Sequence, residues 1–368
     1  MKIVLHIGMP KAGSSALQVG LSAIRPQLLR NGILYPAGGI SRTSHVLLIS
    51  GLIHIDRVPR ALRQRYDDDA GAIDMAHQTW LKDIRETIAS KDPRMLILSS
   101  EYLFRVTTSD GCMALADRLR GLADEVEIEV VAYVRRPSEQ YLASVQQAVK
   151  ASYSFASPQP IGYKRALQNY NDHVADRLHV VKYNPSAWPG GDVLRHFLTA
   201  FVPGSGDITT GPPQQVNRSL SAEAMSILAD YRRKFWANDD NIFTPDTDAL
   251  VHALAAADDN VDGNRRAVLH EHVQRIIDHE SADLLWLRDE HGVTFDGVVY
   301  DDIQPSGRKR ERPAYIDEIC VVDPARKAEL VRRVSSYVRR GPHRGVRWRR
   351  SLARWIAKYV GSGRAMAR

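Results

Sequence analysis

A short apolar run, Ile3 to Ile7, passes directly into Gly8-Met-Pro-Lys-Ala-Gly13-Ser-Ser15. Leu17, Leu21, Ile24 and Leu28 then follow at helical spacing. A buried strand that feeds a glycine-containing turn and then a helix fixes the first unit of the fold. Such a strand needs parallel neighbours on both sides and helices over both faces. Further apolar runs supply the neighbours, at Met95–Leu98, at Val126–Val134 (rich in β-branched residues) and at Leu178–Tyr183. Helical patterns lie between them, around Ala76–Ser90, Ala114–Leu122 and Pro137–Lys150. The expected fold class is therefore α/β, a P-loop-like three-layer arrangement with a central parallel sheet flanked by helices. From about residue 190 the pattern turns mostly helical, with helices expected near Asp192–Phe201, Ser221–Phe235 and Arg265–Glu290.

Charge divides the chain more sharply than any repeat or linker. From Arg326 to Arg368 there are fourteen Lys and Arg against Glu329 alone, a net +13. The whole chain carries +7, so the first 325 residues carry −6. Two regions are expected on this basis, an α/β domain over 1–325 and a basic tail over 326–368. Written as a helix, the tail puts Trp348, Leu352, Trp355, Ile356 and Tyr359 on one stripe, with Arg347, Arg350, Arg354 and Lys358 largely elsewhere. That pattern suits a helix lying on an anionic membrane surface. Attraction to an acidic glycan or to nucleic acid is the rival reading, and packing of the stripe on the main domain is the plain one; nucleic acid is not the expected partner. No run reaches the roughly 18 apolar residues of a membrane span. The N-terminal run is too short and wrongly flanked for a signal peptide. Cys112 and Cys320 have no metal or redox spacing. The expectation is a cytoplasmic protein, peripheral on the inner face of the membrane if the tail binds lipid.

The loop of the first unit has the parts of an anion cradle. Backbone N–H groups of the loop and first helical turn converge there, and the helix dipole favours negative charge. Gly8 and Gly13 permit the tight backbone, and Ser14 and Ser15 offer hydroxyls. A Walker A loop would need lysine where Ser14 stands; the lysine present, Lys11, lies inside the loop instead. Two further features sit at the carboxyl ends of strands, where open α/β sheets bind ligands. Arg135-Arg-Pro137 ends the Val126–Val134 run and leads into a helix carrying Ser144. Glu101 follows Met-Leu-Ile-Leu-Ser-Ser100 and is a candidate general base. The plain alternatives are a solvated lysine with capping serines, surface-paired arginines and a capping carboxylate. His45, in Arg-Thr-Ser-His, could face an acceptor or a nucleotide, although a surface or core-edge histidine is the plainer reading. No H-x-x-H or H-E-x-x-H spacing occurs, and no metal is expected.

Pro10-Lys-Ala-Gly-Ser-Ser-Ala-Leu-Gln18 resembles the phosphosulfate loop of sulfotransferases that use PAPS (3′-phosphoadenosine 5′-phosphosulfate), commonly P-K-[ST]-G-[ST]-[ST]-x-x-Q, and departs from it at Ala12. The resemblance implies that Pro10, Lys11, Ala12, Gly13, Ser14, Ser15 and Ala16 hold the donor, with Lys11 also steadying the oxygen that leaves with the nucleotide. It implies an arginine and a serine for the 3′-phosphate, in a pattern R-x-P with the serine eight residues on. Arg135 has the correct relation to Pro137 and Arg136 the correct distance to Ser144; Arg135 with Ser144 is preferred. Strand followed by Ser-Ser-Glu101 looks like bacterial relatives of the carbohydrate branch, in which a glutamate is the base. The implied activity is sulfuryl transfer from PAPS, without a metal, to a saccharide or glycolipid hydroxyl. A P-loop-type kinase or NTPase, or a non-catalytic nucleotide- or polyanion-binding protein of the same fold, are the alternatives. The segments Gly190–Phe197 and Asn217-Arg-Ser-Leu-Ser221 are weaker likenesses, the second also reading as an N-capped helix start with Ser221 and Glu223.

Overall fold

A computed structural model describes residues 1–206, 208–211, 219–239, 241–263 and 266–340. The strands are β1 (Lys2–Gly8), β2 (Ile33–Leu34), β3 (Met95–Ser99), β4 (Glu127–Val134) and β5 (Arg177–Lys182). The helices are α1 (Ser14–Ala23), α2 (Arg25–Arg30), α3 (Arg60–Arg65), α4 (Ala70–Lys91), α5 (Ser109–Arg120), α6 (Pro137–Ala148), α7 (Lys164–His173), α8 (Val193–Phe201), α9 (Ala222–Phe235), α10 (Pro245–Asp258), α11 (Glu271–His279), α12 (Ala282–His291) and α13 (Pro324–Arg340).

The chain forms two units. The first comprises the described residues of Met1–Arg136, Ile161–Val216 and Ala282–Tyr300. It holds an all-parallel sheet in the order β2-β3-β1-β4-β5. β1 is central, with Lys2 to His6 beside Met95 to Ser99 of β3 and Lys2 to His6 beside Glu127 to Val131 of β4. Ile3, Val4, Leu5 and Ile7 are all fully buried, each contributing about 1.5–3 kcal/mol relative to exposure. Side chains alternate across a strand, so burial of consecutive residues means that both faces are covered. The sheet and its flanking helices agree with the expected three-layer class.

The second unit comprises Pro137–Pro160, the described residues of Asn217–Ser281 and the described residues from Asp301 on. It is helical, and α6, α9, α10, α11 and α13 contribute Val145, Met225, Leu254, Ile277 and Leu330 to its core. One buried cation there lies between two buried carboxylates: Arg326 reaches Glu223 at 2.8 Å and Asp258 at 2.5 Å. Glu223 also accepts from the N–H of Asp323 and Asp258 from that of Ser221.

Several expectations need correction. The boundary at residue 326 is not a domain edge, because Arg326, Leu330, Val331 and Val334 are buried in the second unit. The stretch expected to be one helix over Arg265–Glu290 is two, α11 and α12, interrupted at Glu280 and Ser281, serine being a residue that favours helix starts. α10 was not expected, though Thr244 caps it and Pro245 occupies its first turn. β2 was also unexpected; two residues carry no periodicity. The expected start at Ser221 is present, with its hydroxyl accepting from the Ala224 N–H; Asn217 and Arg218 lie outside the described residues, as does the tail from 341 on. No helix among the described residues is long and apolar enough to cross a membrane.

Candidate functional site

The loop between β1 and α1 is held from three sides. At its start, the Met9 N–H donates to the Tyr133 carbonyl of β4 at 2.8 Å. Ser14 Oγ closes it by donating to the Met9 carbonyl at 3.2 Å. Arg135 Nη1 donates to the Lys11 carbonyl at 3.2 Å. Two glycines are required by contact as well as by conformation. A Cβ on Gly8 (φ 100°) would stand 3.0 Å from the Cα of Glu101, and one on Gly13 (φ 81°) 2.6 Å from the Tyr183 ring. Lys11 itself has φ 67°, a region L residues seldom adopt.

α1 begins at Ser14 behind Gly13, and no side chain caps it. Its first N–H groups have no acceptor within the helix, so they are available to an anion. Elsewhere in the same unit α4, α5 and α8 are capped by Asp69, Thr108 and Asp192. Ser14 is buried and Ser15 exposed, while Pro10, Lys11 and Ala16 are half-buried and Ala12 is buried.

Glu101 opens a 3-10 turn immediately beyond β3. Ser100 ties that end to the sheet through its N–H, donated to the His6 carbonyl at 3.0 Å. Glu101 is half-buried, and its Oε2 accepts from Gln18 Nε2 at 2.8 Å. Gln18 stands four residues after Ser14, so both fall on one face of α1.

The two arginines after β4 diverge. Arg135 joins the loop, its N–H resting on Met9 Sδ at 3.4 Å and its guanidinium 5.9 Å from the Tyr183 ring centre. Its carbonyl accepts from Tyr163 Oη at 2.7 Å. Burial raises the Tyr183 phenol above its usual range, with the Arg135 charge opposing. Arg136 turns the other way and donates to the carbonyls of Asp296 and Gly297 at 2.9 and 3.0 Å. Ser144 is half-buried on α6, in the second unit.

His45 lies in the core rather than at the surface. It is fully buried, its Nδ1 accepting from the Ser99 N–H at 2.8 Å and its Nε2 donating to the Pro36 carbonyl at 2.9 Å. Burial lowers its pKa to about 4, so the ring is neutral at pH 7. It is one of three side chains that pin consecutive carbonyls: Arg25 holds Tyr35, His45 holds Pro36 and Trp80 holds Ala37. That pinned segment walls a cavity of about 550 Å³ beside β2, lined mainly by Leu29, Leu34, Tyr35, Trp80 and Ile84.

Residues with no role assigned from sequence also contribute. Gln18 was visible at the end of the loop pattern. Tyr183 directly follows β5, at the carboxyl edge where ligands gather. Ser99 and His6 looked like ordinary strand residues. Among the described residues, no three His, Cys, Asp or Glu side chains form a group that could hold a metal ion.

No family model matches the chain, and no curated protein matches it. Among solved structures, one from the PezAT chromosomal toxin–antitoxin system of the human pathogen Streptococcus pneumoniae is matched at 14% identity and a TM-score of 0.26. The match covers 63% of this chain and 84% of that one. So slight a likeness bears on neither fold nor function.

Proposed function

We propose that this chain is a sulfotransferase that moves a sulfuryl group from PAPS to a hydroxyl, with a saccharide or glycolipid as the acceptor class. The observation that carries the reading is the close approach of a carboxylate to an anion-type loop at one sheet edge. Gly8 and Glu101 are so near that a Cβ on the glycine would meet the glutamate Cα at 3.0 Å. The loop residues fit an anionic donor: Met9–Ala16 contain no acid, the first turn of α1 is uncapped, and Lys11 supplies positive charge.

In this reading the Glu101 carboxylate takes the proton of the acceptor hydroxyl as its oxygen bonds to sulfur. Lys11 and the first N–H groups of α1 stabilise the phosphate oxygen that keeps the electron pair of the broken S–O bond. Arg135 takes the 3′-phosphate; Ser144 enters this reading from the sequence alone. The chain supplies position and electrostatics, the two terms that dominate the related phosphoryl transfers.

Calorimetric titration with PAP, the desulfated nucleotide, and with ATP, each with and without magnesium, tests the reading. PAP is expected to bind without magnesium and ATP only weakly. Lys11→Ala and Arg135→Ala should each weaken PAP by tenfold or more, about 1.4 kcal/mol. Magnesium-dependent ATP binding without PAP binding would move the assignment to a kinase or NTPase. PAP binding that survives with no PAPS turnover would leave a non-catalytic binder.

A further inference from the structure

The chain of polar contacts behind Glu101 begins in the core. His6 is fully buried in β1, and burial lowers its pKa to about 3, which keeps the ring neutral. Its Nδ1 lies 2.8 Å from Ser99 Oγ, and its Nε2 has no hydrogen-bond partner. Ser99 is fully buried too, and it accepts from Gln18 Nε2 at 3.2 Å. The same Gln18 nitrogen donates to Glu101 Oε2 at 2.8 Å.

Proton counting fixes the direction of this chain at Gln18. A glutamine amide nitrogen has two protons and no lone pair to offer. One proton goes to Glu101 and the other to Ser99. The Ser99 hydroxyl, with two lone pairs and one proton, also meets His6 Nδ1, as donor or as acceptor according to the ring's tautomer. Every link from His6 to Gln18 is buried. A core-anchored amide thus holds one oxygen of the candidate base.

We propose that Gln18 is the positioning residue for Glu101, braced through Ser99 by His6. The inference rests on the sulfotransferase reading and adds to it what the last residue of the loop pattern does. Its role runs through Glu101 and Ser99, both of which its amide nitrogen meets. It fixes the carboxylate relative to the loop, and a displacement of about 1 Å at a reacting group is worth about a hundredfold in rate.

The test is a double-mutant cycle on consumption of 35S-labelled PAPS, with water and with octyl glucoside as acceptors. PAP affinity and thermal midpoint are followed on the same proteins. Gln18→Met keeps the length and removes the donor. It should lower kcat by about 10- to 100-fold while KM for PAPS and PAP affinity stay within about twofold of the parent, the signature of an interaction felt only in the transition state. In a Glu101→Gln background the same change should cost nothing further, because its route to the chemistry is already gone. Ser99→Ala, which leaves Gln18 in place but removes its brace, should give a smaller loss of the same kind. A Gln18→Met loss of equal size in both backgrounds, or an unchanged kcat, would overturn the positioning role while leaving donor binding and the functional reading intact. Absence of PAP binding in the parent would instead overturn the functional reading, and the inference with it. PAP binding without any PAPS turnover would remove Glu101 as base and Gln18's part with it.

Discussion

The loop after β1 and the ionic cluster of the helical unit both gather charged and polar side chains, yet they are built on opposite plans. In the cluster, Arg326, Glu223 and Asp258 are each under 6% exposed, and the arginine meets one carboxylate with each terminal nitrogen. Backbone N–H groups of Asp323 and Ser221 take further carboxylate oxygens. At the loop the helix start is left open: α1 has no capping side chain, Ser15 is exposed, and Lys11 is held at φ 67°. Buried polar groups are normally satisfied, and departures call for an explanation. A cluster whose carboxylates are answered by an arginine and by backbone N–H groups serves the fold. A loop that spends backbone strain beside an uncapped helix start fits the ligand-binding reading proposed for it.

The sharpest way to break that comparison is to remove the cation of the cluster. Arg326→Met leaves two buried carboxylates facing each other, and breaking a buried pair costs about 3–5 kcal/mol. Urea denaturation should show that loss directly. An effect below about 1 kcal/mol would mean that the cluster is wet, on the scale of an exposed ion pair.

A smaller effect comes from the histidines that carry no charge. Burial puts the His6 pKa at about 3 and the His45 pKa at about 4, below the ordinary value of 6.5. The unfolded chain therefore binds protons that the folded chain refuses. Stability from these rings is fully present above pH 6.5 and is lost as pH falls toward 4, at up to 1.4 kcal/mol per pH unit for each ring. Denaturation midpoints between pH 7 and pH 4.5 should fall, and fall less steeply in His45→Gln. An equal slope in the two proteins would show that His45 takes up a proton in the folded state.

The sheet was legible because β1, β3 and β4 are covered on both faces and so read as largely apolar runs, broken only by His6 in β1 and by Glu127 and Glu129 in β4 within those runs. β2, two residues long, offers no pattern to read. The loop was legible because its chemistry is local, all within Pro10–Gln18. What surrounds it is not local. Gln18 and its carboxylate partner are 83 residues apart. The carbonyls that turn Arg136 away from the loop are 160 and 161 residues on. His45 looks exposed among Arg42, Thr43 and Ser44; Tyr35, which meets it edge-on, and Trp80, which stacks against it, come from other parts of the sequence. α10 escaped for a different reason: its Thr-Pro start was a usable signal, overlooked in a stretch rich in alanine.

The smallest effect separates the two plans most cleanly, because its sign differs from the others. An L residue in the left-handed region costs roughly 1–2 kcal/mol that glycine avoids, offset in part by glycine's greater freedom when unfolded. Lys11→Gly should therefore leave stability unchanged or raise it by up to about 1 kcal/mol. The carbonyl that accepts from Arg135 remains, since it belongs to the backbone. PAP binding should nonetheless drop by tenfold or more, about 1.4 kcal/mol, because the ammonium is gone. Opposite movements of stability and affinity at one residue are what a strained ligand loop requires. Were both to fall together, Lys11 would be part of the fold's own bonding, and the contrast with Arg326 would close.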